Sequence, residues 1–137
     1  DVCSSDLRQT KRSAGYNFFL LEDIKIKKGE IKKIPTGIKV YMKENEVLIL
    51  VVRSSTGFKY NIRLCNQVGI IDSDYYNNSS NEGHIWLALQ NEGDHDLNFK
   101  KGDSLVQSLF INYLIADQGN CDETRQGGLG STDRGEE

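Results

Sequence analysis

Two aspartates, Asp72 and Asp74, follow an apolar run in the stretch GIIDSDYY (69–76), and two tyrosines come directly after them. A carboxylate can orient and deprotonate a water molecule, and its oxygens can also bind a metal ion. A strand that runs into a solvated turn would contain the same residue types. Taken alone, the stretch therefore leaves a catalytic base, a metal pair and a plain turn open.

Four further stretches bring polar groups close together. RSSTG (53–57) combines a guanidinium with two hydroxyls at a possible helix start, a combination that favours the binding of an anion. The others are SAGYN (13–17), GDSLVQ (102–107) and RQGGLGST (125–132). Each of the four also fits a structural role: a helix start, a glycine turn, a turn with its strand, or a disordered tail.

Apolar and polar residues alternate with a period of two along much of the chain, as in half-buried β-strands. The alternation is clear in GIKVYM (37–42) and HIWLALQN (84–91), and a strand pattern returns at 105–115. Turn sequences such as KKGE and NEGDHD separate these runs. Short strands between frequent turns predict an all-β fold, either a sandwich or a barrel.

Two segments depart from the strand pattern. Residues 54–61 are predicted to form one short helix, with Ser54 or Ser55 as its N-cap. Residues 117–137 are polar and glycine-rich, with almost no apolar side chains to bury. We expect this last segment to be a mobile C-terminal arm that becomes ordered only on a ligand or partner.

Composition narrows the class of protein. The 137 residues are 27% charged and 37% hydrophobic with a net charge of −3, which suits one globular domain and gives no reason to expect nucleic-acid binding. No apolar run approaches the roughly 20 residues that span a bilayer, so no membrane association is expected. The three cysteines lie far apart and the two histidines fit no ligand spacing, so no protein metal cage is expected. An odd cysteine count without a signal peptide favours the reducing cytoplasm.

We hypothesise that the first seven residues, DVCSSDL, are an artefact of sequencing. They are what the tail of a common sequencing adapter encodes, and no Met precedes them. We therefore expect residues 1–7 to be foreign, residues 8–116 to form the β domain, and residues 117–137 to form the arm.

In their order along the chain, AGYN, RSSTG, GIIDSDY, GDSLVQ and RQGGLGST resemble the motifs of the trimeric dUTPase family, of bacterial or phage type. That family is marked by AGYD, RSSxG, GxIDxDY, GDxxxQ and RxxGGFGST. One match would be weak, whereas five in the same order, spanning residues 14–132, are specific. The resemblance implies a distorted jelly-roll-like β fold and a homotrimer whose sites lie between subunits, each closed by a neighbour's arm.

The resemblance also implies a reaction: hydrolysis of dUTP to dUMP and pyrophosphate by water attack on the α-phosphorus. Mg²⁺ would be held mainly by the substrate triphosphate and by waters. Asp72 matches the carboxylate that orients and activates the water, whereas Asp74 has no clear role and is interpreted as a turn residue. Base and sugar contacts would come from Asn66, Gly69, Tyr75 and Leu129. Phosphate contacts would come from Arg53, Ser54, Ser55, Gln107, Arg125, Ser131 and Thr132.

Several positions depart from the family pattern. Asn17 stands where the family has Asp, which keeps an outer-shell contact near Mg²⁺ but loses a charge. Leu129 replaces the aromatic that covers uracil, while Ser104 and Asp133 replace a basic residue and a glycine. Because Asp72 is intact, these changes predict a weakened enzyme. The alternative is a dUTPase-like nucleotide-binding or regulatory protein with little or no turnover.

Overall fold

The described residues of the computed structural model, 7–118, 121–130 and 133, contain nine β-strands and one short α-helix. The strands are β1 (Tyr16–Phe18), β2 (Ile24–Ile26), β3 (Ile31–Pro35), β4 (Glu46–Val52), β5 (Ile62–Leu64), β6 (Gly69–Asp72), β7 (Trp86–Asn91), β8 (Leu97–Phe99) and β9 (Val106–Asn112). Helix α1 spans Ser54–Tyr60, and a 3-10 turn covers Ser73–Tyr75. No helix in these ranges is long and apolar enough to cross a membrane.

The strands pair only in antiparallel fashion and form three sheets. The largest sheet has the strand order β1-β9-β4-β6, the second has β3-β7-β5, and the third pairs β2 with β8. Within the described ranges the sheets do not close into a barrel. The arrangement confirms the predicted all-β, jelly-roll-like architecture with one short helix.

The hydrophobic core joins all three sheets. Leu48 and Leu50 from β4 are nearly inaccessible to solvent, and Leu89 from β7 is fully buried. Burying a side chain of this size contributes about 1.5–3 kcal/mol, so a shared core fixes the three sheets against one another. The other members of the core cluster include Phe18, Ile26, Ile34, Ile62, Leu64, Ile85, Leu87, Phe99, Leu105 and Val106.

The strand expected at 37–42 does not form. The segment is extended, and Met42 is buried as the alternation predicts, but the residues lie outside the strands of the structure. It is joined to the segment before β7 by isolated bonds, from the Ile85 N–H to the Ile38 carbonyl at 2.9 Å and from the Gly37 N–H to His84 Nε2 at 3.0 Å, and not by a ladder. The alternation therefore predicted which side chains are buried, but it could not show that no neighbouring strand pairs with this segment along its length.

Helix α1 confirms the predicted helix, but neither serine is its N-cap. The N-cap is Arg53, in an extended conformation and without a side-chain capping bond. The start of the helix is tied instead by buried Thr56, whose hydroxyl donates to the Leu105 carbonyl at 2.8 Å. The anchor lies 49 residues away in sequence, so a local capping rule could not find it.

The largest sheet has a second apolar face, on the side away from the core. Ile49 on β4 lies opposite Ile70 on β6 and Leu109 on β9, and directly opposed residues share a face. Ile70 is 63% exposed and Ile111 is 42% exposed. Asp72 follows Ile70 by two positions on β6 and therefore lies on the same face, at its rim.

Buried Asn91 fastens the end of β7 to two other segments. Its Nδ2 donates to the carbonyls of Ile26, at 3.0 Å, and His95, at 2.9 Å. Its Oδ1 accepts from the Gly93 N–H at 3.0 Å. The side chain thus satisfies backbone groups that the core would otherwise leave without partners.

We predict that Asn91→Ala lowers the free energy of unfolding by about 3 kcal/mol, because each buried polar group left unpaired costs about 1–3 kcal/mol. Urea unfolding followed by circular dichroism measures the change. Asn98→Ala, at an exposed position of β8, is the matched control and should change stability by less than about 0.5 kcal/mol. Equal losses in the two variants would contradict the anchoring role.

Candidate active site

Close packing of β6 on β4 positions Asp72. A Cβ added at Gly69 would lie 2.9 Å from the Leu50 Cβ, closer than real side chains approach, so only glycine fits here. Gly69 lies opposite Leu50 in the ladder, and β6 ends three residues later at Asp72. The 3-10 turn then carries the chain inward to Tyr75, which is buried.

The two aspartates of GIIDSDYY both pair with Arg125 of the C-terminal segment. Arg125 Nη2 donates to Asp72 Oδ2 at 2.6 Å, and Arg125 Nε donates to Asp74 Oδ1 at 2.7 Å. The guanidinium side chain is only 18% exposed, while the two carboxylates remain about half exposed. Asp74 was predicted to be a turn or solvent residue, and it does lie in the 3-10 turn with its carboxylate exposed; the structure adds an ion pair with Arg125 that was not predicted.

Two further residues of the segment 121–130, Gln126 and Gly128, contact the chain that follows β6. Ser79 Oγ donates to the Gln126 carbonyl at 3.1 Å. At Gly128 an added Cβ would lie 2.5 Å from Tyr75 Cε2, so the glycine backbone rests on one edge of the ring. The described part of the arm therefore packs on Asp72, Asp74 and Tyr75 of its own chain.

A largely apolar cavity of about 320 Å³ is lined by residues of β4, β5 and β7. Leu50, which packs on Gly69, lines its floor, and Asn66 from the turn before β6 supplies a polar group. Leu129 of the arm stands at the cavity with 90% of its surface exposed. The remaining lining residues are Lys33, Leu64, Cys65, Trp86, Leu87 and Ala88. An apolar cavity with a single convergent amide suits a flat, polar-edged ring such as a nucleobase.

Trp86 is a cavity residue that the sequence analysis did not select. It lies on the polar side of the β7 alternation, 45% exposed, and its ring is 5.2 Å from that of His84. A large aromatic residue at a solvent-facing strand position was the available signal. Trp86 and Leu129 line the same cavity, so the aromatic surface missing at Leu129 is present on β7.

A second polar group of residues surrounds Arg53. Its Nη1 donates to the Ser104 carbonyl at 3.3 Å, and its backbone N–H donates to the Leu105 carbonyl at 2.9 Å. Arg53 and Ser55 line a cavity of about 210 Å³ together with Asp103 and Ser104. Arg53 is the cationic side chain of this cavity, and Asp103, whose carboxylate accepts the Lys100 backbone N–H, is the anionic one.

The other predicted phosphate residues are distributed around these two groups. Ser54 lines a shallow cleft on the other side of Arg53. Gln107 lies directly opposite Asn17 in the ladder between β1 and β9, and both side chains point to the outer face of the largest sheet. Ser131 and Thr132 lie outside the described residues. The chain thus forms two separate groups: Asp72 and Tyr75 with the arm around Arg125, and Arg53 with Ser55, which line a cavity of their own.

Asn17 is the predicted outer-shell residue for Mg²⁺. It is 4% exposed, its backbone N–H donates to the Leu7 carbonyl at 2.7 Å, and its Nδ2 has no hydrogen-bond partner within the described ranges. Those ranges also contain no cluster of three or more His, Cys, Asp or Glu side chains that could cage a metal. A buried amide N–H without a partner fits a residue that contacts a ligand, since buried donors are normally paired.

Sequence comparison identifies the family. A sequence model described as dUTPase matches residues 4–135 of this chain. The chain belongs to the dUTPase family. Among its curated relatives, the deoxyuridine 5'-triphosphate nucleotidohydrolase of Lactococcus lactis subsp. lactis is 45% identical over 127 residues, covering 91% of this chain and 85% of the relative. That of Haemophilus influenzae is 33% identical over 130 residues, covering 93% and 79%.

Solved structures agree with this assignment to the dUTPase family. The crystal structure of dUTPase from Streptococcus mutans superposes with a TM-score of 0.75 at 43% identity, covering 80% of this chain and 86% of that chain. The dUTPase of phage phi11 of S. aureus superposes with a TM-score of 0.70 at 20% identity and shows the shared fold alone. The recognition made from the five motifs is confirmed, and the chain is a bacterial-type member of the family.

We predict that Asp74→Asn loosens the arm, because it removes one of the two carboxylates that hold Arg125. An ion pair at this degree of exposure contributes about 0.2–1 kcal/mol, so the arm should open up to about fivefold more often. Hydrogen–deuterium exchange of residues 121–130 in the nucleotide-free protein measures this. Asp117→Asn, an exposed position before the arm contacts, is the control. Identical exchange in the two variants would mean that the Asp74 pair does not hold the arm.

Proposed function

We propose that this chain hydrolyses dUTP to dUMP and pyrophosphate, which limits uracil incorporation into DNA and supplies dUMP. The observation that carries the proposal is that the arm connects the parts of the site, within a chain of the dUTPase family. Arg125 pairs with Asp72, Gly128 packs on Tyr75, and the next residue, Leu129, lines the cavity that contains Asn66. The curated relatives are nucleotidohydrolases, which favours an enzyme over the alternative of a regulatory or binding protein.

Uracil binds in the cavity that contains Asn66. The Asn66 amide and backbone groups near Gly69 offer hydrogen bonds of the kind a pairing base would use, and the apolar walls cover the ring faces. Because Gly69 already packs against Leu50, little room remains for a methyl group on the base. A site that reads polar edges discriminates more strongly than an apolar pocket alone. Leu129 and Trp86, which line the cavity, contribute apolar contacts to the base.

Asp72 orients the water that attacks the α-phosphorus and accepts its proton. The carboxylate is half exposed and reaches solvent, as a water-activating group must. In the nucleotide-free chain Arg125 neutralises it, and a triphosphate offers that arginine an alternative anionic partner. Tyr75 supports the deoxyribose.

The triphosphate is bound by cationic and hydroxyl groups. Arg53 lines its cavity together with Ser55, and its N–H groups other than the one bonded to the Ser104 carbonyl would meet the anion. The full proposed set is Arg53, Ser54, Ser55, Gln107, Arg125, Ser131 and Thr132. Guanidinium groups bind phosphate through paired N–H donors, which fixes orientation as well as charge.

Mg²⁺ is held by the triphosphate and by waters, and when bound it neutralises charge on the phosphate oxygens. Asn17 contributes from the outer shell through a hydrogen bond to a bound water or a phosphate oxygen. The unpaired Nδ2 of this buried amide supports a contact that only a ligand completes.

The active unit is a homotrimer in the cytoplasm, and each arm closes a site at a subunit boundary. The apolar face around Ile49 and Ile70 supports assembly, since a monomer would leave this face in water. Asp72 lies at the rim of that face, so a neighbouring subunit can add the Arg53 group to it. The proposal also includes the division of the chain into an adapter-derived addition (1–7), the β domain (8–116) and the arm (117–137).

The proposal predicts pyrophosphate release from dUTP with Mg²⁺, and much less from dTTP, dCTP or UTP. Asp72→Asn should reduce kcat by roughly 100- to 10,000-fold, the range contributed by a positioned acid or base. The variant should still bind dUTP, which isothermal titration calorimetry measures. Full turnover by Asp72→Asn would overturn the assignment of the water-activating residue. Tight dUTP binding without turnover by the unsubstituted protein would favour the regulatory alternative.

A second prediction concerns Asn17→Asp. The added carboxylate should lower the Mg²⁺ concentration that gives half-maximal activity. The corresponding gain in binding free energy should be smaller than the roughly 4 kcal/mol of a direct charge pair at 4 Å, because the contact runs through a water. It should also lower the stability of the nucleotide-free protein, because a buried charge then lacks a partner. Asn98→Asp adds the same charge at an exposed position and serves as the control. An unchanged Mg²⁺ dependence would remove Asn17 from the site.

A further inference from the structure

The Tyr75 hydroxyl uses both of its hydrogen-bonding capacities inside the protein. It donates to the His84 carbonyl at 2.7 Å and accepts from Asn81 Nδ2 at 2.8 Å. The tyrosine is only 8% exposed, and both partners come from the loop at residues 76–84 that leads into β7. The loop therefore holds the far end of the ring at two points.

The orientation of the Asn81 amide is set by its neighbours. The Gly83 backbone N–H can only donate, and it points at one amide atom of Asn81 at 3.0 Å, which must therefore be Oδ1. The same oxygen accepts from Asn78 Nδ2 at 2.8 Å. The other amide atom is then Nδ2, a donor, and it faces the phenol oxygen. Consequently the Tyr75 proton goes to the His84 carbonyl.

Asn78 fixes this arrangement from inside the loop. It is 6% exposed, and its Nδ2 also donates to the Tyr75 carbonyl at 2.7 Å. Its Oδ1 accepts the backbone N–H groups of Ser80 and Asn81 at 3.0 and 3.1 Å. One asparagine thus connects the Tyr75 backbone to the residue that holds the Tyr75 hydroxyl.

The loop also lies against the backbone that carries the ring. Gly83 has φ +87°, and an added Cβ would lie 2.8 Å from the Tyr75 carbonyl oxygen and 2.9 Å from Tyr76 Cα. Another residue could neither adopt this conformation easily nor fit the space. The backbone, the side-chain amides and the glycine all converge on Tyr75.

We propose that Asn81, held by Asn78, is a positioning residue that fixes the Tyr75 ring and so sets the discrimination between deoxyribose and ribose nucleotides. The inference rests on the proposed function, in which Tyr75 supports the sugar. A ring held at its hydroxyl cannot move aside, whereas a ring held only at its Cβ can pivot and open space for a 2′-hydroxyl. Asn81 acts through Tyr75 and does not touch the substrate.

The test is the ratio of kcat/KM for dUTP to kcat/KM for UTP. Asn81→Asp keeps the acceptor for Gly83 and Asn78 but replaces the donor to the phenol with a second acceptor. The single Tyr75 proton can then serve either the His84 carbonyl or residue 81, so one of the two bonds that hold the ring is lost. We expect this ratio to fall about tenfold, the equivalent of one hydrogen bond. Ser80→Ala, an exposed residue that enters the network through its backbone N–H, should leave the ratio unchanged.

A double-mutant comparison separates positioning from a general loss of structure. Tyr75→Phe keeps the ring and removes both bonds, so it should lower the ratio by a similar factor. Asn81→Asp should then have no further effect in the Tyr75→Phe background, because its target is gone. A purely structural role for Asn81 would lower kcat/KM for both nucleotides equally and leave the ratio unchanged.

The outcomes distinguish this inference from the proposed function. No dUTP hydrolysis by the unsubstituted protein would defeat the proposed function. Selective hydrolysis together with an unchanged ratio in Asn81→Asp or in Tyr75→Phe would overturn the positioning role alone. If Asn81→Asp fails to fold, as thermal unfolding would show, the ratio measured for Tyr75→Phe decides the question.

Discussion

The contact between Gly69 and Leu50 is the constraint on which the rest of the site depends. It holds β6 so close to β4 that only glycine fits, and it fixes the register that ends the strand at Asp72. Leu50 also lines the apolar cavity, so one packing contact relates the cavity to the carboxylate. The following turn then brings Tyr75 inward, where the 76–84 loop holds it. A shift of one residue in this pairing would turn Asp72 to the opposite face of the sheet.

Sequence periodicity predicted the strands and the helix because burial on one face leaves a local pattern. It failed wherever the decisive partner is distant in the chain. Residues 37–42 alternate correctly but lack a ladder, and the start of α1 is anchored by the Leu105 carbonyl instead of a serine cap. The motifs located Asp72 and Tyr75, yet the ion pair of Asp74 with Arg125 joins residues 51 apart and left no local signal. Trp86 was missed because a strand pattern treats its position as merely solvent-facing.

The departures from the family motifs affect different parts of the site. Leu129 offers less surface than an aromatic residue, but Trp86 lines the same cavity from a rigid strand. Asn17 keeps hydrogen-bonding capacity at a buried position, while the charge of the family's Asp is lost from the proposed phosphate and Mg²⁺ site. Neither change touches Asp72 or the network around Tyr75. The site is therefore altered where it binds and unaltered where the proposed chemistry occurs.

The apolar face around Ile49 and Ile70 has a consequence for how the protein behaves at low abundance. Asp72 stands at the rim of this face, so in the proposed trimer the surface that is buried on association adjoins the reacting centre. Association and catalysis are then linked by mass action. Dilution would deplete competent sites even though every single chain stays folded, and the specific activity of such a protein would rise with its own concentration.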